Sequence, residues 1–582
     1  MELTLELTPD KPLAGLLAPL FALRGKNDLG VGDVGALREF IDWAAEHGFR
    51  VVQLLPVNET GHDHSPYNAI SSVALEPTMI EVTPQALPDL RAHEIEEITR
   101  EFDQDKLCGG AVKYPLVKEL KEKLLTRAFE NFLARTWRSH GVRLRRFRIF
   151  CRAEAGWLED YALFRTLMEE QRSGCWDRWP AEQRSAAEAR RWLAAQTPAR
   201  WREVEMRMRF RRYVQWLAWE QWAAVKKYAD MQGVALMGDI PFGVSYYSAD
   251  VWARPEIFDH VWSGGCPPER IFQTDPFTYK WGQNWGIPLY RWDTLRERNF
   301  DWWRQRVRKV RACFHLFRID HILGFFRIYG FPWRPESNAD FLPLTEGEAR
   351  ARTGGELPHF VPNEDDTPAH KAANGAQGEE ILRVLLEECG AFRLIGEDLG
   401  VVPDYVRPCL ARLGIAGFKI PYWETETDGE MTPGTAYPRL SVTTYATHDF
   451  EPLRTQWEGW MEKIAAAETG GSETHAARDS AWREVRRLAA WAGFEVPRIT
   501  PYTDDIRERL LRALFASNAW MAICMITDLF GYTQRFNVPG AVSESNWSER
   551  LAQPIGAWRD DAALAGKMER VREILRVTGR AM

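Results

Sequence analysis

The chain has 582 residues, 45% of them hydrophobic and 27% charged, with a net charge of −7. This is the composition of a soluble globular protein with a large core, and charge spread without long runs of one sign argues against nucleic acid or an anionic membrane as partner. A neutral substrate fits better, and an α/β barrel with insertions absorbs this length as one catalytic unit, residues 1–582.

In chain order, the apolar stretch Pro12–Leu23 follows Glu2, Glu6 and Asp10 with Lys11 the lone basic residue, so it reads as a first strand, Leu16–Leu23, rather than a signal peptide. No run reaches transmembrane length. A helix over Val34–His47 and a second strand over Arg50–Pro56 follow. Roughly 175 residues then precede the third strand, Val234–Pro241, far beyond a usual connection. Residues 58–232 are therefore read as an inserted, largely helical subdomain, with helices at Lys118–Arg135, Asp160–Glu170, Ser185–Gln196 and Arg202–Gln232. A second insertion, 251–299, is dense in Pro, Gly and Trp, which is loop chemistry. The fourth strand is Cys313–Ile319, and a third insertion, 335–379, carries Gly354-Gly355 and Asn363-Glu364-Asp365-Asp366 and reads as loop.

Strands Phe392–Gly396, Ile415–Pro421, Ser441–Ala446 and Ala519–Thr527 complete eight, with a helix over Asp404–Leu413 after the fifth. Continuous apolar runs suit strands buried on both faces. The alternation predicts an α/β fold, a (β/α)₈ TIM barrel with mainly helical and loop-rich insertions walling a cleft on its C-terminal face. The eight cysteines show no CxxC and no zinc-ligand spacing, and read as reduced thiols of a cytoplasmic protein.

Three acidic motifs close predicted strands: Phe317-Arg318-Ile319-Asp320-His321, Gly396-Glu397-Asp398-Leu399-Gly400 and Thr447-His448-Asp449. Taken singly, an Arg-x-Asp on a strand is more often a structural ion pair, Glu397-Asp398 could complement a helix dipole, and His448-Asp449 could be a satisfied core pair. Placed together at the ends of strands four, five and seven they suit retaining glycoside chemistry, which needs one ionised carboxylate as nucleophile and one protonated carboxyl as acid. Arg318 lies on the same strand face as Asp320 and would keep it ionised. Carboxylates at Asp320 and Asp449 would raise the pKa of Glu397, as a general acid requires. His448-Asp449 would hold sugar hydroxyls.

On these motifs the chain resembles the amylomaltases, the 4-α-glucanotransferase family of the α-amylase superfamily, from Leu29-Gly30-Val31-Gly32-Asp33 to Asn546-Trp547. The resemblance implies Asp320 as nucleophile, Glu397 as acid/base and Asp449 as transition-state stabiliser. Ser65-Pro66-Tyr67, Gly238-Asp239-Ile240-Pro241 and the segment from Gly282 to Pro288 match further family motifs. They imply donor-side contacts from Ser65, Tyr67, Asp239, Arg318 and His448, ring stacking by Trp285, and a contact from Asn537. An exposed Trp285 in a glycine-rich loop is a plausible sugar platform, against the alternative of a loop anchor packed inward. Tyr67 could instead terminate a turn and Asp239 could cap one. Trp216, Trp219, Trp222, Trp302 and Trp303 lie in helical stretches and read as core.

Two departures from the family pattern stand out. Thr-His-Asp continues as Phe450-Glu451-Pro452 in place of Asn-Asp-Thr, and the loop before Trp285 carries an extra segment, Thr274–Lys280. Both bear on subsites rather than on the chemistry. No β-sandwich sugar-binding module is expected ahead of the barrel. The implied activity is disproportionation of α-1,4-glucans, meaning maltooligosaccharides or fragments of glycogen or starch, with no metal and no organic cofactor. The rivals are an α-glucan hydrolase sharing every catalytic residue and a non-catalytic glucan-binding scaffold. A metal-dependent hydrolase would need more ligands than His62-Asp63-His64 offers.

Overall fold

A computed structural model describes residues 6–61, 63–137, 141–268, 275–466, 472–497, 499–540, 543 and 545–581. Twelve strands occur among them: β1 Leu13–Leu17, β2 Val51–Gln53, β3 Ala235–Ile240, β4 Phe258–Cys266, β5 Gln283–Tyr290, β6 Leu316–Ile319, β7 Ile328–Phe331, β8 His359–Val361, β9 Leu394–Gly396, β10 Ala416–Lys419, β11 Ser441–Thr443 and β12 Met521–Met525. Eight close into a parallel barrel in the order β1-β12-β11-β10-β9-β6-β3-β2. Every residue of β1, β3, β6 and β12 is buried, which is why these segments are apolar without alternation.

Each barrel strand falls within or beside its predicted segment. The first is displaced: the ladder runs over Leu13–Leu17, paired with Met521–Met525 and Val51–Gln53, and not over Leu16–Leu23. Pro19, which has no N–H to give a ladder, ends the strand, and Leu20–Ala22 turns as 3₁₀ helix. Val34–Glu46 then forms a helix whose N-cap, Asp33, accepts from the N–H groups of Gly35 and Ala36.

Between β2 and β3 lie the helices Tyr114–Asn131, Val142–Ala153, Ala155–Glu170, Ala186–Ala194 and Pro198–Met231. The last buries Trp216 and Trp222 and leaves Trp219 half-buried, while Trp302 and Trp303 are buried on the helix Asp301–Cys313.

The segment 251–299, expected as loop, holds two strands, β4 and β5, and short helices at Pro276–Trp281 and Trp292–Glu297. β4 and β5 pair antiparallel, and with β7 and β8 they form a second sheet in the order β5-β4-β7-β8. Its glycines serve close approach rather than irregularity: a Cβ on Gly265 would meet the Gln283 carbonyl oxygen at 1.9 Å. Residues 335–379, also expected as loop, hold the helices Asn338–Phe341 and Glu346–Arg352, strand β8 and the start of the helix Pro368–Cys389. No helix among the described residues is long and apolar enough to cross a membrane, and all eight cysteines are free thiols.

Candidate active site

Parallel pairing sets the site. β3 and β6 align Asp239 with Arg318, and β6 and β9 align Ile319 with Gly396. Asp320 and Glu397 are each one residue further on, so they emerge side by side from neighbouring strands, with the Glu397 N–H donating to the Ile319 carbonyl at 3.0 Å. Both line a cleft of about 590 Å³ over the C-terminal ends of the strands, as do Ser65, Tyr67, Trp285, Arg318, His448, Asp449 and Asn537.

Arg318 is the electrostatic centre. Its Nη1 donates to Asp239 Oδ2 at 2.6 Å and its Nη2 to Asp320 Oδ1 at 2.8 Å. Burial alone would discourage the guanidinium's charge, but Asp239 and Asp320 outweigh it and hold the proton firmly. Asp239 itself is raised by burial despite Arg318. It is 5% exposed and does not line the cleft. Its Oδ2 is engaged by protein groups rather than turned to the open cleft. It anchors the two groups above it, accepting also from Tyr67 Oη at 2.7 Å. Burial, then Asp239, keep the Tyr67 phenol protonated far into the alkaline range, so it remains the donor in that bond.

Glu397 is half-buried at the cleft wall and its pKa rises to about 7. Desolvation is the leading cause, opposed by Arg318 and assisted by Asp320. Asp449, expected to contribute, is not among the causes. The carboxyl is fixed by the backbone N–H of His321, which reaches Glu397 Oε2 at 2.8 Å. That residue sits at φ 49°, a left-handed conformation that a β-carbon disfavours and that here aims the N–H at the acid. Its imidazole is held neutral by burial, with a pKa of about 4, and packs edge-on against Trp285 at 4.9 Å. Trp285 is 40% exposed, so its indole faces the cleft rather than the core.

The opposite side is built on the segment after β11. His448 stacks on Tyr67 with ring centroids 5.0 Å apart, and its Nε2 lies 3.2 Å from Asp449 Oδ1. Asn537 Nδ2 donates to the same Asp449 oxygen at 2.6 Å. Ser65 shapes its loop by accepting from the Tyr67 N–H at 3.3 Å.

Several groups lining or bracing the cleft were not assigned a role from the sequence. Arg535 donates to the Asp449 carbonyl and to the Asn537 carbonyl, each at 2.7 Å, and so locks these two segments together. Trp547 packs on Tyr67 and His448 at 5.7 and 5.6 Å. Trp423, 47% exposed, meets Phe450 edge-on at 5.2 Å. Trp423 had a readable signal, an aromatic two residues beyond the predicted strand Ile415–Pro421, and Trp547 stands in the Asn546-Trp547 pair that bounds the resemblance, whereas Arg535 had none. Of His62-Asp63-His64, His62 lies outside the described residues, Asp63 lines the cleft and His64 stacks on Tyr114. No three metal-ligating side chains cluster among the described residues. Thr274 also lies outside them, and Asp275 caps the helix Pro276–Trp281.

Comparison with known proteins agrees across the chain. The sequence profile described as 4-alpha-glucanotransferase matches residues 18–554. The 4-alpha-glucanotransferase of Chlamydia caviae is 30% identical over 557 residues, 94% of this chain and 91% of that protein. That of Aquifex aeolicus is 28% identical over 98% of this chain and 99% of its own length. Among solved structures, the amylomaltase of Streptococcus agalactiae in complex with acarbose superposes with a TM-score of 0.70 at 24% identity, covering 98% of this chain and all (100%) of that one. The amylomaltase of Corynebacterium glutamicum gives 0.75 at 20% identity, covering 97% of this chain and 75% of its own.

Proposed function

The chain belongs to the 4-alpha-glucanotransferase family, and from that premise we propose that Asp320, Glu397 and Asp449 carry out glucan transfer in this cleft. The observation that carries the assignment is the pairing of two carboxyl groups in different surroundings. Asp320 accepts a charge-assisted bond from Arg318, while Glu397, half-buried beside it, has its pKa raised to about 7. Their emergence from adjacent strands, about 4.8 Å apart in such a sheet, suits the close carboxyl spacing of roughly 5–5.5 Å that retention requires.

Asp320 Oδ attacks the anomeric carbon of the donor as Glu397 gives its proton to the departing glycosidic oxygen. The reducing-end fragment leaves, and a β-glycosyl ester remains on Asp320. Glu397, now a carboxylate, takes the proton of an acceptor 4-hydroxyl, whose oxygen displaces Asp320 and restores the α linkage. Asp449, held by Asn537 and His448, faces the developing oxocarbenium charge. Trp285 offers an aromatic plane to a sugar face. The donors are α-1,4-glucans, and eight free thiols fit a cytoplasmic setting.

Incubation with maltotriose tests the reading. Transfer yields a ladder of longer and shorter maltooligosaccharides with glucose, whereas glucose and maltose without longer chains mean hydrolysis. Asp320→Asn is expected to lower turnover by roughly 10³-fold or more with the circular dichroism spectrum unchanged; retained activity removes Asp320 from the nucleophile's role.

A further inference from the structure

The four-stranded sheet borders a second cavity, of about 310 Å³, that shares the Phe242 side chain with the catalytic cleft as a common wall. None of the groups assigned above lines it. Its other walls are aromatic: Tyr290 and Trp292 lie 4.9 Å apart, and Trp262 packs at 5.1 Å from His359. Trp262 and Trp292 are only half-buried.

The polar groups around these rings are largely uncommitted. Tyr290 Oη is spent on the Phe242 carbonyl at 2.7 Å. By contrast, neither indole N–H of Trp262 and Trp292, nor the Arg291 guanidinium, has a hydrogen-bond or ion-pair partner among the described residues. Asp259 uses Oδ1 to accept from the N–H groups of Val261 and Trp262, which leaves Oδ2. Glu356 stands at the rim with His359 Nδ1 at 4.0 Å.

Flat apolar faces flanked by both donors and acceptors match a pyranose ring, which offers a C–H face and equatorial hydroxyls. Two carboxylates against one guanidinium disfavour a phosphate or other anion. The volume lies in the range of small-ligand sites. We infer that this pocket is an auxiliary holding site for one or two α-1,4-linked glucose units of a long glucan whose reacting end lies in the cleft. The identity of the sugar rests on the 4-alpha-glucanotransferase reading; the chemistry of the pocket does not.

The test compares Trp262→Ala, and a double variant of the exposed rim, Arg291→Ala with Glu356→Ala, against the unmodified enzyme on maltotriose and on long-chain amylose. KM for amylose is expected to rise roughly three- to tenfold, while kcat and KM for maltotriose stay within about twofold. The rim variant decides the matter should Trp262→Ala fail to fold, because its side chains are exposed. Migration in amylose-containing native gels, which needs no turnover, is expected to be retarded less for the variants. Unchanged amylose KM and migration, or equal rises for both substrates, overturn the holding site. Absence of maltotriose turnover in the unmodified enzyme overturns the functional reading instead, and the gel then still reports whether the pocket binds glucan.

Discussion

Replacing Glu397 by Gln should stabilise the protein while abolishing its activity. The half-buried carboxyl's pKa moves from 4.5 to about 7, and each unit is worth about 1.4 kcal/mol. A folded-state pKa raised above the unfolded value means that the native state binds more protons in this window, so stability falls as pH rises from about 4.5 to about 7 and stays lower above it. At pH 8 the native enzyme therefore carries a cost of about 3 kcal/mol that Gln, uncharged and able to accept the same bond from the His321 N–H, does not. With an unfolding entropy of about 2.1 cal/mol/K per residue, this corresponds to a rise in Tm of about 2–3 °C for a chain that melts as one unit. Differential scanning calorimetry of both proteins from pH 4 to pH 8.5 measures it. The gap should be near zero at pH 4, open through pH 5–7 and then level off. A difference that does not change with pH refutes the reasoning, since it would mean that Glu397 ionises as readily in the fold as in the unfolded chain.

Three further outcomes follow from the same geometry. Above pH 7 the kcat/KM for maltotriose should fall about tenfold per pH unit, because the acid must be protonated and Glu397 loses its proton at about 7; a rate held level to pH 9 speaks against Glu397 as the acid. Asn537→Ala removes the 2.6 Å bond to Asp449, a charge-assisted contact of about 1.5–3 kcal/mol, so kcat should drop roughly ten- to a hundredfold with little change in KM, and an unaltered kcat excludes a positioning role. Arg318→Met strands Asp239 in the interior beneath Tyr67 and should cost about 3–5 kcal/mol in urea denaturation; a loss below about 1 kcal/mol would show that Asp239 is neutral without its partner.

Much of the barrel is legible in the sequence because parallel strands covered on both faces leave uninterrupted apolar runs, as in Val234–Pro241 and Ala519–Thr527. The misplaced start of the first strand came from the same signal: Leu16–Leu23 is apolar throughout, but only the ladder to Met521–Met525 and Val51–Gln53 determines which part is strand. Strands β4, β5 and β8 fall in segments read as loop, and β4 and β5 did so because glycines that permit close backbone contact look, in one dimension, like glycines that permit turns.

The sequence by itself determined where the two proposed catalytic carboxyls stand, since a residue at the end of a barrel strand must emerge on the C-terminal face, and Asp320 and Glu397 directly follow β6 and β9. It also placed Arg318 beside Asp320, two residues away on one strand face. What only the tertiary structure decided is the environment that makes two similar groups behave differently. Glu397 is raised chiefly by being taken out of water, and burial depends on every segment packed around it rather than on its neighbours in sequence. The same holds for Asp239, hidden beneath Tyr67 and Arg318, and for Arg535, whose guanidinium joins Asp449 and Asn537, 88 residues apart along the chain. Local spacing sets direction along a strand; desolvation and cross-strand partners exist only once the barrel has closed.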